Sequence, residues 1–248
     1  MYKIFPLLLA VILASSCSFE KPLQFEEITI TQDSMEVCKT EKCPTIKVHY
    51  VQAIENDDKS VLINKKIFES ITGKIAPNEG GTSDFSTIDG ALDFFIEDYK
   101  KLISDFGNNF VSYDVDTFMR VSFQSEEFVS LELNYYLFTG GAHGYSGTQF
   151  MNFDAKTGEL LHQNVLFNDV EGLTRFSEKE FRERYQVPQD RSINSSGFWF
   201  ENDQFHLPEN IGFTETQLIL HYNQYEIASY AEGPIILSIP ITEVEEYL

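Results

Sequence analysis

The sequence predicts an α+β fold: antiparallel sheets with a few helices packed on their faces, in two intimately associated subdomains. Three observations carry that reading. Residues 46–51 and 128–136 alternate apolar and polar side chains with period two, as half-buried strands do. Ile88, Leu92, Phe95, Tyr99, Leu102/Ile103 and Phe106 recur every three or four residues, as on one face of a helix. Of the 248 residues, 42% are hydrophobic and 14% aromatic, which argues against disorder despite the charge. A chain of this length buries roughly 70–75% of its unfolded surface and needs no staple in order to fold.

The first residues read as an address. Met1-Tyr2-Lys3 is a short basic start, and residues 4–14 form an apolar run broken by Pro6, too short to span a bilayer. Leu13-Ala14-Ser15-Ser16-Cys17 follows, with small residues before a cysteine, as in a bacterial lipobox. The expectation is a signal peptide over residues 1–16, an acylated Cys17 and a tether over 17–26. The rival reading is an ordinary secretory signal in which Cys17 is incidental. Each buried methylene of a lipid chain contributes about 0.8 kcal/mol to the anchor. The implied localisation is the bacterial cell envelope, at the periplasmic or outer-membrane face. In that oxidising setting Cys38 and Cys43, five residues apart, are expected to pair and close a small loop. A zinc site is the rival, and it would need two further ligands from five scattered histidines.

The folded elements are then read in order. Residues 27–31 and 46–51 are strands, and 56–59 is a polar turn. Ile63, Ile67 and Ile71 share a face of a short helix over 61–72. A loop covers 77–83. The strongest helix begins at Ile88, with Thr87 or Ser86 as N-cap, and ends at Gly107-Asn108-Asn109. Strands are expected at 118–125 and 128–138. Residues 149–153 run through the turn Asp154-Ala155-Lys156-Thr157-Gly158 into 159–161 as a hairpin. Asp169 caps a helix over 170–185, and strands follow at 198–200, 204–207, 216–222 and 235–241. The change from helix to strands suggests a division into an N-terminal module, 27–112, and a C-terminal module, 113–248.

Charge and motifs narrow the chemistry. Eighteen Lys and Arg stand against 39 Asp and Glu, a net charge of −21. That balance argues against nucleic acid, which demands clustered cations. No P-loop, dinucleotide fingerprint, nucleophile elbow or His-x-x-x-His pair occurs, so neither a cofactor nor a metal is expected. Residues 139–144, Thr-Gly-Gly-Ala-His-Gly, are the most conspicuous segment. Gly140, Gly141 and Gly144 permit a chain path closed to other residues, and His143 is a candidate base or ligand. The alternative is a tight turn in which His143 bonds a backbone carbonyl. Residues 198–200, Phe-Trp-Phe, read as a core strand before a carbohydrate platform.

Three stretches resemble a known pair of extracytoplasmic modules. They are residues 43–50 with 62–67 (Leu-Ile-Asn-Lys-Lys-Ile), residues 136–144 with 152–158, and residues 218–234, which contain Tyr-Glu-Ile-Ala-Ser-Tyr-Ala-Glu-Gly. The first is similar to the module preceding the catalytic domain of PdaC-type peptidoglycan deacetylases. The others are similar to the domain of unknown function that follows it, and the pair also forms the outer part of RsiV-type, lysozyme-sensing anti-sigma factors. The deacetylase's Thr-Phe-Asp-Asp motif and His-x-x-x-His pair have no counterpart here, so its chemistry does not carry over. The anti-sigma factor's cytoplasmic helix and membrane span have none either. The resemblance implies a stand-alone, non-catalytic lipoprotein, with its N-terminal lipid in the membrane, that binds peptidoglycan glycan or a cationic protein such as lysozyme. One alternative is an envelope carbohydrate-active enzyme using His143 with Glu226. Another is a structural assembly factor. The candidate ligand-binding residues are Gly140, Gly141, His143, Gly144, Tyr225, Glu226 and Tyr230.

Overall fold

The computed structural model describes residues 22–76, 85, 87–107 and 112–248. Cys17, the signal peptide, residues 18–21 of the tether, the 77–83 loop, Ser86, Asn108 and Asn109 lie outside them. The described chain forms two sheets. The first has five strands: β1 (Phe25–Thr31), β2 (Thr45–Ala53), β3 (Asp114–Gln124), β4 (Phe128–Phe138) and β5 (Tyr145–Asp154), in the order β1-β2-β3-β4-β5. Every pairing is antiparallel except β2 with β3, which is parallel. The chain makes that parallel crossover through α1 (Asp58–Ile75) and α2 (Ile88–Phe106). Between β1 and β2, Cys38 and Cys43 form a disulfide, as expected.

Local chemistry explains both helices. The Asp57 carboxylate accepts from the Ser60 amide, and Thr87 Oγ1 accepts from the Gly90 amide, so each helix starts on a side-chain cap. In α1 the stripe extends beyond 61–72, with Ile63, Ile67, Ile71 and Ile75 all buried. Asn64, inside the Ile-Asn-x-x-Ile stretch, bonds both backbone groups of Ala53 (2.8 and 2.9 Å) and fastens α1 to the end of β2. In α2 the stripe is buried through Tyr99, while Phe106 is exposed. Both helices cover one face of the first sheet against Ile46, Val48, Val115, Leu131 and Leu133.

The division predicted at 112/113 is corrected. β3, β4 and β5 complete the sheet begun by β1 and β2 and share its core. The switch from helix to strand at 113 is the return leg of a crossover inside one unit. The change of core comes after β5. There the predicted Asp154–Gly158 turn forms, with Asp154 Oδ1 accepting from the amides of Lys156 and Thr157. Its return leg makes a single bridge, Phe153 to Leu160, and not a strand.

The second unit holds α3 (Gln163–Leu166), α4 (Val170–Arg184, capped by Asp169 as expected) and a three-stranded antiparallel sheet. Its strands are β6 (Ile211–Phe213), β7 (Gln217–Tyr222) and β8 (Ile235–Pro240). The predicted strands at 198–200 and 204–207 are irregular chain and short 3-10 turn instead. Aromatic rings hold this segment. Phe181 of α4 is fully buried, with the rings of Tyr185, Phe198, Phe200 and Phe205 at 4.6–5.5 Å. Phe200 is buried, while Trp199 between the two Phe residues points outward.

The units dock where β6 lies on the sheet face opposite the helices. A bulge between Val121 and Phe123 turns Phe123 onto that face, where it meets Phe128 and Phe213. Gly212 is obligatory, since a Cβ there would fall 1.9 Å from the Phe150 ring. The Phe213 amide donates to the buried Ser130 hydroxyl, and the Asn152 amide donates to the Ile211 carbonyl. β5, an edge strand, is closed by two asparagines of the second unit. Asn210 and Asn223 accept from the amides of Phe150 and Thr148 and donate to the Thr148 carbonyl, at 2.7–3.0 Å.

Candidate functional site

The conspicuous glycine segment is the β4–β5 turn. Gly140 and Gly141 have φ of +99° and +96°, values that demand glycine. Gly144 is buried beneath Tyr136, whose ring would lie 2.4 Å from any Cβ. His143 is exposed, and its Nδ1 lies 3.0 Å from the Gly144 carbonyl oxygen, the turn-type contact weighed against a catalytic role. Its ring stacks on Tyr230 at 4.7 Å, and Tyr230 meets Tyr225 at 5.5 Å. The glycine segment and the Tyr-Glu-Ile-Ala-Ser-Tyr stretch, over eighty residues apart, therefore touch.

Glu226 does something else. Its carboxylate accepts from the Asn223 amide at 2.9 Å and closes the turn after β7, while Ile227 beside it is fully buried. Tyr225 sits in that turn at φ +70°. Glu226 lines a large cleft of about 1120 Å³ beside the β5 edge, together with Glu209, Glu201, His206 and His162. Burial of its carboxyl pushes its pKa up, the Asn223 amide and His206 oppose, and Glu209 adds to the rise. His143 does not line this cleft. The predicted His143–Glu226 acid–base pair is thus not assembled around one cavity; the histidine whose charge acts on Glu226 is His206.

A second cleft, of about 420 Å³, lies between the two units on the open face of the first sheet. Alternate residues of three adjacent strands form one side: Asp114, Asp116 and Phe118 of β3, Asn134 and Tyr136 of β4, Ser146 and Thr148 of β5. His221, Asn223, Gln224 and Pro234 of the second unit form the other. Phe118 is about half exposed and stacks on His49 at 4.7 Å. Burial, with the Asp116 carboxylate next, raises the Asp114 pKa, and Lys47 opposes. His221 is 5% exposed, and burial pushes its pKa below the ordinary 6.5. The two clefts share Tyr135, Thr148 and Asn223. Sequence reading missed this site because Asp114-Val115-Asp116 is a weak motif by itself. Its polar and aromatic residues converge only when the register of β3, β4 and β5 is known. Among the described residues no group of three or more His, Cys, Asp or Glu is placed to hold a metal ion, and no helix is long and apolar enough to cross a membrane.

The family comparisons break between residues 146 and 160, a stretch that holds β5 and the turn after it. Residues 37–146 match the family described as Deacetylase PdaC, and residues 160–242 match the protein of unknown function family DUF3298. The chain resembles a PdaC module followed by a DUF3298 module. The two matches fall on either side of the turn after β5, which agrees with the change of core there. A DUF3298-family crystal structure from Bacteroides fragilis has a TM-score of 0.65 at 20% identity, covering 91% of this chain and 93% of that one. Another from Pseudomonas aeruginosa has a TM-score of 0.58 at 18% identity, covering 92% and 94%. At these identities the likeness is one of fold. No curated protein matches the sequence. The motifs that carry the resemblance do structural work: Asn64 ties helix to strand, Gly144 admits Tyr136, and Glu226 closes a turn.

Proposed function

We propose that this chain is a non-catalytic, lipid-anchored protein of the bacterial cell envelope that binds a cell-wall glycan. The observation that carries the reading is the cleft between the modules. It combines aromatic rings, which stack on the apolar faces of sugars, with amides, hydroxyls and carboxylates that bond their hydroxyl groups. The separation of His143 from the Glu226 cleft weighs against the acid–base alternative. The test is co-sedimentation of the purified protein with insoluble peptidoglycan. The protein is expected in the pellet and released by soluble glycan fragments; protein left in the supernatant removes the reading. The lipid anchor is tested by mass spectrometry of the mature N-terminus, where a free thiol on Cys17 or cleavage elsewhere would sink it.

A second reading, binding of a cationic protein such as lysozyme, is favoured by the net charge of −21, which would speed encounter with a basic partner. Titration calorimetry with lysozyme at low and high salt tests it, and absence of heat at low salt eliminates it.

A further inference from the structure

The intermodule cleft contains hydrogen-bonding capacity that the protein does not use. His221 Nε2 and Gln224 Oε1 are buried atoms with no hydrogen-bonding partner among the described residues, and both residues line the cleft. Along the same seam Asn210 and Asn223 bond the β5 edge and Ser130 accepts from Phe213, while Asn152 Oδ1 is likewise buried without a partner among the described residues. Native proteins rarely leave buried polar atoms unsatisfied, and an exception calls for a functional explanation. Here two occur together, on the wall contributed by the second module.

The opposite wall sets the charge of what fits. Asp114 and Asp116 stand two residues apart on β3, and among the described residues no lysine or arginine lines the cleft. Lys47 pairs with Asp116 at 3.8 Å from outside the cleft, and Lys74 sits over the Tyr135 ring. Phe118 presents an exposed ring beside the two carboxylates. An acidic sugar, a phosphate or a carboxylate ligand would meet net repulsion on that side, where one lysine stands against two carboxylates. A ring with an apolar face, hydroxyl groups and one positive charge would meet all three features.

We propose that this cleft binds a single hydroxylated ring carrying a protonated amine, an amino sugar. Gln224 Oε1 and His221 Nε2 bond its hydroxyl groups, Asp114 and Asp116 face its ammonium, and Phe118 lies against its apolar face. The proposal rests on the glycan reading above and gives it a site and a charge preference.

The test is an NMR titration of the full-length mature protein, without its lipid, with three single-ring probes: methyl glucosaminide, its N-acetyl counterpart and methyl glucuronide. The free amine is expected to bind about tenfold more tightly than the acetamide, with the glucuronide weakest, and to shift the amides of Gly147, Thr148 and Gln224. A cation also collects on any acidic surface, so the deciding variant leaves the charge unchanged. Gln224→Leu is expected to weaken the two glucosamine-derived probes about tenfold with an unchanged circular dichroism spectrum. Asp116→Asn is expected to abolish the preference for the amine and leave the acetamide binding as before. Glu209→Gln, in the larger cleft, is expected to change neither. Equal affinity for all three rings, or full binding by Gln224→Leu, overturns the amino-sugar site. If peptidoglycan still sediments the protein in that case, the glycan reading survives. If it does not, both fall.

Discussion

The two cores of this molecule are built differently. Beneath α1 and α2 the core is largely aliphatic, with Ile63, Ile67, Ile71 and Ile75 stacked along one helix against Ile46 and Val48. The second core gathers rings around Phe181, and several come from chain that is neither helix nor strand. The difference reflects how much each side chain brings. An isoleucine contributes a modest area, so a row of them at helical spacing is needed to hold an element. A buried aromatic removes some 150–250 Å² from water, so two or three rings can hold an irregular strap in place.

The largest expected effect falls on the second core. Phe181→Ala should cost about 3–5 kcal/mol, the range for deleting a buried ring. If the two cores are separate cooperative units, hydrogen exchange will accelerate in β7 and α4 while β2 and β3 stay protected. Loss of protection in all four would show one unit and break the comparison. The disulfide loop bounds the first core from outside. Replacing Cys38 and Cys43 by serine should lower stability by about 2 kcal/mol in the chain-entropy model for a loop this short, read as a shift in the urea midpoint. Smaller again is the cap of α2: Thr87→Ala should cost about 1 kcal/mol, and a thermal melt will detect it.

The junction between the cores adds a pH dependence. Burial lowers the His221 pKa in the folded state from its ordinary 6.5. The unfolded chain therefore takes up a proton first as pH falls, and the stability from neutral His221 is present above pH 6.5 and lost below it. The slope for one such group cannot exceed about 1.4 kcal/mol per pH unit. Urea titrations at pH 7.5 and 5.5 should show this fall in the native protein and a flatter profile in His221→Gln. An identical slope in both would place the proton elsewhere.

Periodicity and capping residues made the long helices and one turn readable. The α1 and α2 stripes, the Thr87 and Asp169 caps and the Asp154–Gly158 turn follow from residues within a few positions of one another. The misreadings have a common cause. Residues 198–207 look like strands because aromatics are frequent in strands, yet their rings answer to Phe181, far away in sequence. β6, only three residues long, carries no period of its own. Residue 113 looks like a boundary because a crossover and a domain break show the same change from helix to strand.

Local spacing and composition in the sequence determined the three long helices, the main strands, the disulfide partners, the acidic charge and the resemblance to a module pair. Tertiary structure decided where the modules divide, how Asn210 and Asn223 close the β5 edge, and which groups share a cleft. It set His143 against Tyr230, away from the Glu226 cleft, and brought Asp114, Phe118, His221 and Gln224 around one cleft. Those outcomes depend on strand register and on a bulge that turns one phenylalanine over. Both are set by the sum of distant contacts, and no short stretch of chain encodes them.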